Sequence, residues 1–175
     1  MTAISISQQG RRFFAFPDTV NEVAARSVAT VVVVLSCLAI LADQKYLLIP
    51  LAYGFWARVL SGPKISPAAI FATRVVAPRL PQYAKEVSGA PKRFAQAIGV
   101  AFSTSALILW VVLGLKTAGV VVLAGLILAA SLEALFGLCL GCKIYGLLVR
   151  AGVFSPESCP ECADLSIRQS RSQLV

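Results

Sequence analysis

Four stretches of the chain run apolar for long enough to be read as helices packed in a membrane. The first, about 24–42, reads AARSVATVVVVLSCLAILA. At about 1.5 Å of rise per residue it crosses a hydrocarbon core of about 30 Å. The second, about 46–62, is short and carries Pro50 and Arg58. It crosses if Arg58 snorkels and the helix runs on to Gly62, and the other reading is a re-entrant hairpin. The third covers about 94–115. The fourth starts near Thr117 and stays helix-compatible to about Arg150, longer than a bilayer needs. The pattern predicts an all-α fold, a four-helix transmembrane bundle with a short Cys-rich cytoplasmic tail.

The segments between these runs divide the chain further. Residues 1–23 form a polar lead. Its GRRFFAF resembles a twin-arginine export signal, but Pro17, Asp18, Asn21 and Glu22 separate it from the apolar run, so cleavage is not expected. Residues 63–93 are rich in Pro and Gly at both ends. Within them, 65–77 places apolar residues on one side and Arg74 on the other. This reads either as an interfacial helix on anionic lipid or as a structured loop over the bundle end. Residues 151–175 form a polar tail with a Cys-x-x-Cys pair.

Composition agrees with the pattern: 58% of the 175 residues are apolar and 14% charged. The formal charge of +8 would suggest nucleic acid in a soluble domain. Here the basic residues lie between apolar runs, so topology accounts for them and no nucleic-acid partner is expected. If all four runs cross, fourteen Lys and Arg residues fall on one side, and only Lys45 and Lys116 on the other. The positive-inside rule then places both termini of a multi-pass protein in the cytoplasm. The same split favours a crossing by 46–62.

No histidine occurs anywhere in the chain. That excludes Ser-His-Asp and Cys-His catalysis, HExxH zinc sites and histidine-ligated haem. Thiolates and carboxylates are the main polar chemistry left.

The chain resembles a bacterial membrane family, domain of unknown function 4395. The resemblance is carried by VNEVAARSVA at 20–29, GPKISP at 62–67, APRL at 77–80, PKRFAQAIG at 91–99 and LFGLCLGCKIYGLL at 135–148. It implies a four-helix inner-membrane protein without an assigned reaction. It also implies thiol or sulfur chemistry, because genes of this family often lie beside thioredoxin-like or sulfurtransferase genes. A thioredoxin-like or sulfurtransferase protein, or subunits of a membrane complex, are the protein partners that follow.

Two Cys-x-x-Cys pairs, Cys139/Cys142 and Cys159/Cys162, stand sixteen residues apart and face one compartment in this topology. In a reducing cytosol a permanent disulfide is not expected. The spacing fits a four-thiolate zinc site using all four cysteines. Against zinc, Cys139 and Cys142 sit inside what reads as a continuous helix rather than on a tight turn. At i and i+3 they share a face and are close enough for a redox pair, with Lys143 favouring the Cys142 thiolate. In a continuous helix they would receive little help from the helix dipole. The third reading is packing by two small apolar residues, as for Cys37.

Glu133 lies at membrane depth, so it fixes helix packing or carries a proton. Ser103, Thr104 and Ser105 are its expected partners, and Gly137 and Gly141 continue its stripe along the helix. On an unbroken helix Cys139 and Cys142 fall on the side opposite Glu133, so the two features are not expected to form one site.

Three roles stay open. One is an accessory or docking component of thiol and sulfur metabolism. The second is a membrane thiol–disulfide oxidoreductase relaying electrons toward a quinone. The third is a zinc-clamped scaffold subunit. The residues do not decide whether the chain is an enzyme, nor its substrate or oligomeric state.

Overall fold

A computed structural model describes residues 19–79 and 86–153. The fold is all-α apart from one small ribbon. Strand β1 (Thr19–Asn21) pairs antiparallel with β2 (Glu86–Ser88), Thr19 opposite Ser88. Asn21 then caps helix α1 (Glu22–Leu41): its Oδ1 accepts from the backbone N–H of Val23 at 2.9 Å and of Ala24 at 3.3 Å. This satisfies two of the donors that a helix start leaves open.

A tight turn, with Asp43 in the left-handed region, leads through a single 3₁₀ turn into α2 (Leu48–Ser61). Helix α3 (Pro67–Phe71) begins on a proline, whose missing N–H costs nothing at that position, and winds on through a π turn, Ala72–Val76. Its Ala69 and Ala72 bury against Ala24 and Val28 of α1. The segment expected to lie on lipid or over the bundle thus packs on the first helix.

Helix α4 (Gly89–Leu107) continues through a π turn to Val112. It starts five residues before the expected 94, so Lys92 and Arg93 belong to the helix rather than to the loop. Gly114, with φ +70°, turns the chain into α5 (Lys116–Phe136).

The largest departure from expectation follows. The predicted continuous helix 117–150 is two helices. Gly137 takes φ +66°, a conformation that costs an L side chain about 1–2 kcal/mol. Its N–H donates to the Glu133 carbonyl at 3.0 Å, closing α5, and a second helix, α6 (Leu140–Arg150), restarts after Cys139.

Helix α1 packs on α5, α2 on α4, and α4 on both α5 and α6. The core joins Val32 and Ala39 with Leu48, Leu51, Phe55, Trp110, Leu123 and Leu126. Gly99 of α4 leaves room for the Phe55 ring, and Gly141 of α6 lets that helix lie directly on Ala95. A Cβ at Gly141 would stand 2.6 Å from the Ala95 Cα, so α4 and α6 meet backbone to backbone.

Three helices are long and apolar enough to cross a membrane: α1, α4 with its π turn, and α5. Many of their large apolar side chains face outward, among them Leu38, Val112, Val121, Leu128 and Leu135. Such a surface is unusual for a protein surrounded by water and suits a membrane protein.

Candidate functional site

The helix break decides what the cysteines can do. Cys139 is the N-cap of α6, in extended conformation, rather than an interior helical residue. Its Sγ accepts from the Cys142 backbone N–H at 3.3 Å and from the Cys142 thiol at 2.6 Å. The dipole withheld by a continuous helix is therefore present, because the positive end of α6 points at Cys139.

Both cysteines lie beyond α5, outside the three long apolar helices. The Cys139 thiol is held below the ordinary thiol range, first by the hydrogen bond from the Cys142 thiol. Lys92 and the Cys142 N–H act in the same direction, while burial and Glu133 oppose them. Cys142 is pushed up, because it donates the proton of that hydrogen bond and is itself buried beside the Cys139 sulfur. The pair is asymmetric: Cys139 ionises before Cys142. The expectation that Lys143 activates Cys142 is corrected, since Cys139 is the activated sulfur and Lys92 the cation that favours it.

Glu133 does not stand apart from the cysteines. Its carboxylate forms an ion pair with Lys92 of α4, and Lys92 acts electrostatically on Cys139 and Cys142 alike. The left-handed turn at Gly137 redirects the chain, so the face arithmetic of an unbroken helix no longer holds past Phe136. Two of the three expected hydroxyl partners are otherwise engaged: Ser103 donates to the Val100 carbonyl, and Thr104 accepts from the Trp56 indole at 3.2 Å. Gly137 and Gly141 are likewise a turn and a helix contact rather than one stripe.

Arg58 does not snorkel. It is 6% exposed, with its guanidinium over the Phe55 ring at 4.5 Å. Its Nε donates to Gln96 Oε1 at 2.8 Å and its Nη1 to Ser66 Oγ at 3.4 Å, while its buried Nη2 has no hydrogen-bond partner. Glu133 acts on it through space. Arg58, Gln96, Glu133 and Cys139 line one cavity of 270 Å³, with Phe55 and Phe102 among its apolar walls.

Two buried cations, Arg58 and Lys92, face one carboxylate, Glu133. The remaining positive charge is balanced when Cys139 is a thiolate. Neither Lys92 nor Arg58 stood out in the sequence as part of a site, since each read as one of many basic residues on one side of the membrane. The signal was an arginine inside a short apolar run and a lysine at the head of PKRFAQ.

The Cys-x-x-Cys turn, α4 and the buried pair all fall within residues 20–150, which match the family model described as domain of unknown function (DUF4395). The chain belongs to the DUF4395 family. No curated protein and no solved structure matches it. The DUF4395 region covers α1 through α6, and so contains every residue of the site. Cys159 and Cys162 lie outside the described residues. Among the described residues no group of three or more His, Cys, Asp or Glu side chains comes together as metal ligands.

Proposed function

We propose that this DUF4395 protein is an integral membrane thiol–disulfide exchange protein, with Cys139 as the nucleophile and Cys142 as the resolving thiol. The single observation that carries this reading is the placement of Cys139 as N-cap of α6, its sulfur accepting from the Cys142 N–H and thiol. A helix N-terminus and a neighbouring cation are the surroundings that make a cysteine reactive, whereas a structural cysteine sits in inert apolar packing.

In the oxidised protein a partner thiolate attacks the Cys139 sulfur. The Cys139–Cys142 bond breaks, and Cys142 leaves and takes a proton. A second partner thiol then attacks the partner sulfur of the mixed disulfide. The partner departs as a disulfide, and Cys139 returns as a thiolate. A thioredoxin-like protein is the partner class that suits this exchange, and the basic end of the bundle, in the cytoplasm by the charge rule, is where it docks.

The zinc reading has less support. A tetrahedral zinc with Zn–S near 2.3 Å would hold its sulfurs roughly 3.8 Å apart. Cys139 and Cys142 stand 2.6 Å apart, the Cys142 thiol donating to the Cys139 sulfur.

The test is a redox titration of the full chain carrying Cys159→Ser and Cys162→Ser, equilibrated in glutathione buffers and quenched with a thiol alkylator. The reading expects a two-electron transition between dithiol and disulfide at Cys139 and Cys142. A pair that stays reduced across the whole range, with one zinc bound per wild-type chain, would overturn it.

A further inference from the structure

The cavity beside the pair contains a feature that thiol exchange with a soluble partner does not use. Arg58 is buried, lines the cavity and keeps Nη2 without a hydrogen-bond acceptor. An unpaired buried charged donor is costly, and such groups mark a place where an acceptor belongs. Charge narrows the acceptor. With Cys139 ionised, Arg58 and Lys92 are already balanced by Glu133 and the thiolate, so a neutral oxygen acceptor suits Nη2 better than a further anion.

Shape narrows it again. The walls are mostly aromatic and aliphatic, from Phe55, Phe102, Val32 and Leu126, and the polar lining comes from Arg58, Gln96, Glu133 and Cys139. At 270 Å³ the space is close to the lower end, roughly 300 Å³, of small-molecule sites. A flat ring with carbonyl oxygens on its edge fits this division. The exchange cycle also leaves a requirement open: the dithiol must be reoxidised by something that takes two electrons and two protons.

We propose that the Arg58 cavity binds the head group of a membrane quinone, which reoxidises the Cys139–Cys142 pair. This rests on the thiol–disulfide reading above. The Arg58 guanidinium turns so that Nη2, which has neither accessible surface nor a partner here, donates to one ring carbonyl and polarises the ring. The Cys139 thiolate adds to a ring carbon, forming a C–S bond, and the ring oxygens gain electron density and a proton. The Cys142 sulfur then attacks the Cys139 sulfur. The S–S bond forms, the C–S bond breaks, and its electron pair stays on the ring. The Cys142 proton and one proton taken up from water end on the two ring oxygens, one of them passing through the Lys92–Glu133 pair. The sum is one thiol–thiolate pair, one proton and one quinone giving one disulfide plus one quinol.

The experiment uses the full chain, reduced and desalted, in quinone-free lipid nanodiscs, with decylubiquinone as the probe. Quinol is read by loss of quinone absorbance and the pair by thiol alkylation. One quinol should form per Cys139–Cys142 disulfide. Arg58→Gln should slow the reaction at least about tenfold, the scale of one charged hydrogen bond. Ala129→Phe, which adds a ring at a cavity-lining position without a polar group, should also slow it at least about tenfold, and decides the matter if Arg58→Gln fails to fold. A wild-type pair that cycles with glutathione yet yields no quinol overturns this proposal and leaves the exchange reading standing. Quinol formation at the wild-type rate in Ala129→Phe overturns it as well. So does protection of Cys139 from alkylation by thiosulfate or phosphate but not by decylubiquinone.

Discussion

Lys92 of α4 and Glu133 of α5 form a buried ion pair at the end of the bundle where Cys139 starts α6. The pair ties two long helices together and also sets the field at the thiol. A buried pair is expensive to break from one side, because the survivor keeps its desolvation cost without its partner. Lys92→Met should therefore destabilise the protein by about 3 kcal/mol. The double variant Lys92→Met with Glu133→Leu should cost less than that single change. A denaturation series in detergent, read as a double-mutant cycle, checks this. A double variant no more stable than Lys92→Met would mean that the pair does not act as a unit.

The two thiols should differ in chemistry. The Cys139 thiol sits below the ordinary range and Cys142 above it. A thiol alkylates only as thiolate, so a lowered pKa shifts the onset of reaction to lower pH. In the reduced protein, alkylation at Cys139 should begin at lower pH than at an unperturbed cysteine, and Cys142 should stay unreacted in that window. Mass mapping of the modified peptide across a pH series reads this directly. Cys142→Ala should raise the pH at which Cys139 reacts, because the hydrogen bond that lowers Cys139 is removed.

Gly137→Ala probes the break itself. The added Cβ pays about 1–2 kcal/mol for the left-handed backbone and meets Glu22 Oε1 at 2.8 Å. A drop in thermal midpoint together with slower alkylation of Cys139 is the expected outcome. Lowered stability with unchanged Cys139 reactivity would show that the turn supports the fold without setting the thiol.

Arg26 closes α5 from outside. Its Nη2 donates to the Leu135 carbonyl at 2.8 Å and its Nε to the Ala134 carbonyl at 3.2 Å, on carbonyls that the helix leaves open. Arg26→Ala should cost about 1–2 kcal/mol, the scale of hydrogen bonds from a charged donor. Arg26→Lys should recover part of the charge but not both bonds. Paired melting curves distinguish the two.

Orientation is testable without purification. Asp43 and Lys116 pair at 2.8 Å at the end of the bundle opposite Arg26, Lys92 and Glu133. With the charge bias read as positive-inside, a reporter inserted beside Gly114 should behave as external and one fused after Val175 as cytoplasmic. The reverse pattern would put the thiol pair in an oxidising compartment.

The sequence makes some of this legible and hides the rest for a physical reason. The apolar runs mark α1, α4 and α5 because burial and lipid contact both demand such runs. The end of α5 is hidden because a glycine at φ +66° and a glycine that admits a neighbouring helix are the same letter, in the same apolar surroundings. Gly137 is the first kind and Gly141 the second. Once that turn is missed, Cys139 becomes an interior residue, and Glu133 and the thiols fall on opposite faces. The Lys92–Glu133 contact is hidden differently. It joins two helices, and no periodicity within either one points to the other.

Helix α2 has fourteen residues, a rise of roughly 21 Å, against about 30 Å of hydrocarbon. If α2 also crosses a bilayer, the leaflet beside it has to thin and the water boundary dips toward Arg58. The protein would then sit in a dimple of its own making on the side where the cavity lies. A soluble donor could approach the thiols there, while a lipid-borne acceptor would have to slide only a short way down from the surface to reach the same ring of residues.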